Sequence, residues 1–104
     1  MTAHLIQILL PLKMRDGTDV PAAMFAEVRV ELTQRFGGVT AYSRSPATGL
    51  WKRTEADVER DQVIMIEVVV EALDREWWAQ YRGQLEQRFG QEEVHARALP
   101  IERI

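Results

Sequence analysis

Two stretches of the chain carry apolar side chains at helical spacing. Phe25, Val28, Leu32 and Phe36 fall at offsets 0, 3, 7 and 11, one stripe along an α-helix. Trp78, Tyr81, Leu85 and Phe89 repeat those offsets. Asp19 is placed to cap the first helix, with Pro21 in its first turn, where a missing N–H costs nothing. Asp74 is placed to cap the second, and Glu76 suits its positive N-terminal end. Gly37-Gly38 and Gly90 supply the left-handed residue with which helices end.

Between and around the helices the pattern predicts strands. Leu5–Leu12 is an apolar run before the first helix, and Val39–Arg44 follows it. Gln62–Glu71 is rich in Val and Ile, as a central strand is. Val94–Leu99 closes the series, with Pro100 suiting a strand end or edge. The order is therefore β-α-β-β-α-β, the ferredoxin-like or split βαβ pattern. The expected fold is α+β: a four-stranded antiparallel sheet in the order 4-1-3-2, with two helices on one face.

The halves repeat. With a shift of 53, Met24–Gly37 overlies Trp77–Gly90 without gaps. Ala26/Ala79, Arg29/Arg82, Leu32/Leu85, Gln34/Gln87, Arg35/Arg88, Phe36/Phe89 and Gly37/Gly90 are identical. Similar helix-ending chemistry accounts for part of this, but a true duplication of a strand–helix–strand unit is the better reading. A long period repeated only twice is a folded pair, not a solenoid. Residues 1–104 are expected to form one domain, with a pseudo-twofold between halves of about 4–44 and 62–99.

The strand residues sort by alternation. Ile6, Ile8, Leu10 and Leu12 share one face of the first strand; Leu5, Gln7 and Leu9 share the other. Ile64, Ile66, Val68 and Val70 share one face of the third; Val63, Met65, Glu67 and Val69 share the other. The sets interrupted by polar residues should lie away from the helices. They are still largely apolar, and Leu5, Leu9, Val63, Met65 and Val69 would face water in a lone chain. Soluble monomers rarely leave such patches open. The expected cover is a second copy, making a homodimer through the open sheet face. The alternative is the segment Leu50–Lys52 folded back over its own sheet. That segment belongs to a long connection, Ser45–Asp61, with a charged stretch at Thr54–Arg60. Connections of that length are usually functional or disordered.

Composition removes several functions. The chain of 104 residues has no cysteine, so disulfides, thiolate metal sites and a cysteine nucleophile are excluded. Its net charge of −3 is spread over interleaved signs, as in Arg53–Asp61. No basic stripe is present to neutralise phosphates, so no nucleic-acid partner is expected. The central strands also lack the stacking aromatics of ferredoxin-like RNA binders. The apolar run His4–Leu12 is short of the about 20 residues that span a bilayer, and Met1–His4 lacks the basic start of a signal peptide. A cytoplasmic protein with no membrane partner is expected. No phosphate loop or nucleophile elbow is present.

Candidate chemistry centres on Glu67, alone in an apolar strand. A buried carboxylate needs a partner. Gln7 is its expected neighbour, with Arg97, His95, Tyr42 or Arg44 from the outer strands. A polar cluster in an apolar surface is how small-molecule sites look, and a desolvated Glu67 would be a general base with a raised pKa. The plainer reading is a structural Glu–Arg pair at a seam. His95 would line the same face or simply be hydrogen-bonded. His4 and His95 should lie at opposite ends of the sheet, so a shared metal is not expected, and nothing implies a cofactor. Trp78 and Tyr81 belong to the core stripe, and Trp77 to its edge. Trp51, in the long connection, either closes a pocket mouth or pins the segment. The candidate ligand-binding set is Gln7, Tyr42, Trp51, Glu67, His95 and Arg97.

Two short motifs carry a resemblance. Gln87-Arg88-Phe89-Gly90-Gln91-Glu92-Glu93-Val94 and Arg35-Phe36-Gly37-Gly38-Val39-Thr40-Ala41-Tyr42 resemble the helix-to-strand endings of a group of small bacterial proteins of unknown function. The whole layout is similar to the dimeric α+β barrel superfamily, which includes small monooxygenases, chlorite-dismutase relatives and muconolactone-isomerase types. The resemblance implies a fold and a dimer. It carries over no catalytic residue, since no haem-ligating histidine or quinone-oxidising site of those families matches a position here.

Overall fold

The computed structural model describes residues 3–44 and 63–104. Strands β1 (Ala3–Pro11), β2 (Thr40–Arg44), β3 (Val63–Val70) and β4 (His95–Ile101) form one sheet in the order β2-β3-β1-β4. Read from the other edge this is 4-1-3-2, the order the chain predicts. Every pairing is antiparallel. Helices α1 (Ala22–Phe36) and α2 (Arg75–Arg88) connect the strands within each half. The fold is α+β, and among the described residues no helix is long and apolar enough to cross a membrane.

Both helices lie on one face. Ile6, Ile8, Leu10, Ile66, Val68 and Val70 form one buried cluster with Val28 and Leu32 of α1, Tyr81 and Leu85 of α2, and Phe89. The assignment of faces by alternation therefore holds. The helices run in opposite directions. Phe36, ending α1, stacks on Trp78 near the start of α2 at 5.1 Å between ring centroids. Phe25, near the start of α1, meets Phe89 just past the end of α2 at 5.5 Å. The two apolar stripes thus meet head to tail.

The helix ends are built differently at the N-termini and alike at the C-termini. Asp74 caps α2, its carboxylate accepting the Trp77 N–H at 3.0 Å. Asp74→Ala is expected to cost about 1 kcal/mol, read as a lowered midpoint in urea denaturation with an unchanged slope. Asp19 does not cap α1. The residue before that helix is Pro21, which offers no side-chain acceptor. Asp19 instead pairs across a tight turn with Lys13 at 2.5 Å, held too far back in the chain to reach the helix. At the other end, Gly37 and Gly90 adopt φ of 87° and 60°, a region costly for residues with a Cβ. Around Gly90 the Gly90 N–H donates to the Gln87 carbonyl and the Gln91 N–H to the Glu86 carbonyl. This Schellman closure satisfies carbonyls that the helix leaves free. It turns the chain into Val94, which is buried, and then into β4.

Candidate functional site

The sheet face opposite the helices is organised in rows by the strand register. Glu67 on β3 faces Gln7 on β1, and Gln7 faces Arg97 on β4. Thr40 on β2 completes the row beside Glu67. Toward one end the next row is Val69, Leu5 and Leu99. Toward the other it is Tyr42, Met65, Leu9 and His95. One polar row therefore crosses the sheet between two rows that are mainly apolar.

From Arg97 to Glu67 the polar row is hydrogen-bonded. Arg97 Nε donates to Gln7 Oε1 at 2.6 Å, and Gln7 Nε2 donates to Glu67 Oε2 at 2.7 Å. Gln7 can do this because its amide presents a donor and an acceptor. It relays the guanidinium's pull to a carboxylate two strands away. Glu67 and Gln7 are half-buried and Arg97 is exposed. Glu67 keeps one oxygen, Oε1, and Arg97 keeps its two terminal nitrogens without a partner among the described residues.

Three of the sequence-derived candidates thus come together: Gln7, Glu67 and Arg97. His95 lies on the same face but one row away, opposite Leu9, and is exposed. Tyr42 and Arg44 take register positions opposite Met65 and Val63, not Glu67. Trp51 lies outside the described residues, as does the rest of the connection 45–62. His4 and His95 sit at opposite ends of β1, since His4 pairs with Pro100 and His95 with Leu9. Among the described residues no three His, Asp or Glu side chains gather as metal ligands do. The His4 Nδ1 is buried without a hydrogen-bond partner among the described residues, at the sheet end far from His95.

One expectation about this face needs correcting. Met65 is not left open: it is fully buried, and Leu5, Leu9 and Val63 are half-buried. Met65 sits on a central strand with Leu9 on one side and Tyr42's strand on the other. The open apolar surface is concentrated in the next row but one, where Val69 is 39% and Leu99 38% exposed.

A second polar cluster joins the two helices. Arg88 of α2 grips Glu31 of α1 with both terminal nitrogens, at 2.8 and 3.1 Å. The Tyr81 hydroxyl donates to the same carboxylate at 2.7 Å. Partial burial pushes the Glu31 carboxyl up, but the hydrogen bonds from Arg88 and Tyr81 outweigh it and hold the group below its ordinary value. Burial, then the Glu31 carboxylate, pushes the Tyr81 phenol well up. Sequence reading missed this cluster. The signal present was the repeat itself, which equates Arg35 with Arg88. Each reaches across to the other helix: Arg35 lies over the Trp77 ring at 4.2 Å, while Arg88 finds Glu31. Both groups tie helix to helix, so they hold the scaffold under the sheet.

A shallow groove of about 260 Å³ runs between α2 and β4 on the helix side, floored by Ala96 and Ala98 beside Trp78. Small side chains on β4 leave this space. No protein-family model, curated protein or solved structure matches the chain.

Proposed function

We propose that this is a ferredoxin-like protein that works as a homodimer through the open face of its sheet and binds a small molecule against the row Glu67–Gln7–Arg97. The observation that carries this reading is the row itself. A carboxylate and a guanidinium are held apart by a glutamine, each with hydrogen-bonding atoms that no described residue engages, in a largely apolar surface. A few placed polar groups in an apolar wall are what orient a bound ligand. Opposite charges at fixed separation suit a molecule carrying both a donor and an acceptor. Whether Glu67 also serves as a base depends on the ligand's presenting an acidic proton to Oε1.

The test has two parts. Light scattering at micromolar concentration should give twice the chain mass. A thermal-shift screen of small carboxylic acids, amides and amino acids should yield compounds that stabilise the protein, and Glu67→Gln should lose that stabilisation while keeping its fold by circular dichroism. A second reading is favoured by the closure of the row on itself, since Gln7 already joins both charges: a non-catalytic dimerisation or interaction module. Retention of every thermal shift in Glu67→Gln, or no shift from any compound, would support that reading against the first.

A further inference from the structure

The row's charge order also sets the direction in which two copies meet, an inference that rests on the dimer proposed above. From the β2 side to the β4 side the row reads Thr40, Glu67, Gln7, Arg97. With strands about 4.8 Å apart, the negative and positive ends stand about 10 Å from each other with β1 midway. The adjacent row, Val69–Leu5–Leu99, holds the most exposed apolar side chains of this face.

We infer that the second copy docks about a two-fold axis parallel to β1 and passing over Gln7. Such an axis exchanges the two sides of the sheet and leaves height along β1 unchanged. Arg97 then lies over Glu67 of the partner subunit, and Glu67 over the partner's Arg97. Gln7 faces its own copy. The exposed apolar row lands on itself, with Leu99 over the partner's Val69 and Leu5 over the partner's Leu5. Glu67 Oε1 and the terminal nitrogens of Arg97, which have no partner among the described residues, are the atoms this arrangement joins. Facing sheets pack about 10 Å apart and within about 30° of alignment, a gap that facing Arg and Glu side chains can bridge.

The other two-fold lying between the sheets, directed along the row, does the reverse. It sets Arg97 over Arg97 and Glu67 over Glu67, and like charges across a seam are costly. It also lays the exposed Leu5 row over the row of Met65, which is already buried. Charge and apolar exposure, two separate observations, choose the same axis. Isologous packing then makes the Glu67–Arg97 pair twice.

The test uses the full chain. Glu67→Arg and Arg97→Glu each place like charges opposite one another and should each raise the dimer dissociation constant about 100-fold, read by analytical ultracentrifugation. Mixed one to one, the two variants should recover a tight heterodimer, because each then presents the opposite charges the other needs. Circular dichroism checks that both keep their fold. Since the chain has no cysteine, Leu5→Cys places a lone thiol, which a short bismaleimide should link to its own copy. If the unmodified chain is a monomer, the dimer reading and this inference fall together. If it is a dimer that both charge reversals leave intact, or if mixing rescues nothing, only the pairing falls. If Leu5→Cys links not to itself but to Leu9→Cys in a mixture, the axis along the row is the true one and this inference is overturned.

Discussion

Phe89→Ala is expected to lower the free energy of unfolding by about 3–5 kcal/mol, the usual cost of removing a large ring from a packed core. Phe89 is fully buried. It meets the Phe25 ring of α1 and belongs to the cluster that joins both helices to β1 and β3. It also sits between the last turn of α2 and Gly90, where the Schellman closure fixes the backbone. That closure leaves the surroundings little room to collapse into the space, and unrelieved cavities are the expensive ones. Domains of this size are stable by about 5–15 kcal/mol in all, so the variant should stand near the edge of unfolding at room temperature. Its repeat equivalent, Phe36, is only half-buried against Trp77 and Trp78, and Phe36→Ala should cost clearly less. Urea denaturation followed by circular dichroism measures both. A loss below about 1 kcal/mol for Phe89→Ala would mean that the core relaxes far more than this packing allows.

The same pair of residues explains why the α+β layout is legible in the sequence. Phe36-Gly37 and Phe89-Gly90 punctuate two helices whose stripes share one spacing, and a stripe has to be buried somewhere. Alternation in β1 and β3 then told which side of the sheet the stripes cover, because only one set of residues is free of polar interruption. The row Glu67–Gln7–Arg97 was half legible. A polar residue inside each central strand marks a place, but register decides which of them face one another. Arg97 is joined to Gln7 because β4 pairs with β1 and sets Gln7 opposite Arg97. No local property of those residues encodes that choice. Asp19 shows the opposite failure. Its residue type suits a cap, yet the turn that pairs it with Lys13 claims it first. The Glu31 cluster was invisible for a related reason. Glu31 stands four residues before Arg35, a spacing that suggests an ion pair within one helix. Packing sends Arg35 onto Trp77 and brings Arg88 to Glu31 instead.

That cluster carries the second large effect. Glu31→Gln removes the charge that receives both Arg88 and Tyr81, and it should cost about 1.5 kcal/mol near neutral pH, the low end for hydrogen bonds to charged groups, because the carboxylate is 43% exposed and partly screened by water. The sign of its pH dependence follows from the direction of the shift. The folded Glu31 carboxyl is held below its ordinary value of 4.5, so folding favours the ionised form. Its contribution is complete above the unfolded value and is lost as pH falls through the lower, folded one. The difference in stability between the unmodified chain and Glu31→Gln should therefore be steady from about pH 6 to 8 and shrink as the solution is acidified below about pH 4. Tyr81 adds the opposite wing. Its phenol is raised above the ordinary value of 10.0, first by burial and then by Glu31. Stability from the protonated phenol is complete below that value and declines as pH rises beyond it. Tyr81→Phe should abolish the alkaline decline and leave the acid one largely in place, because Arg88 still holds Glu31 by two bonds. Urea midpoints measured across the pH range for the three proteins would show both wings. A gap between the unmodified chain and Glu31→Gln that widens in acid would mean that burial, not the Arg88 grip, governs Glu31.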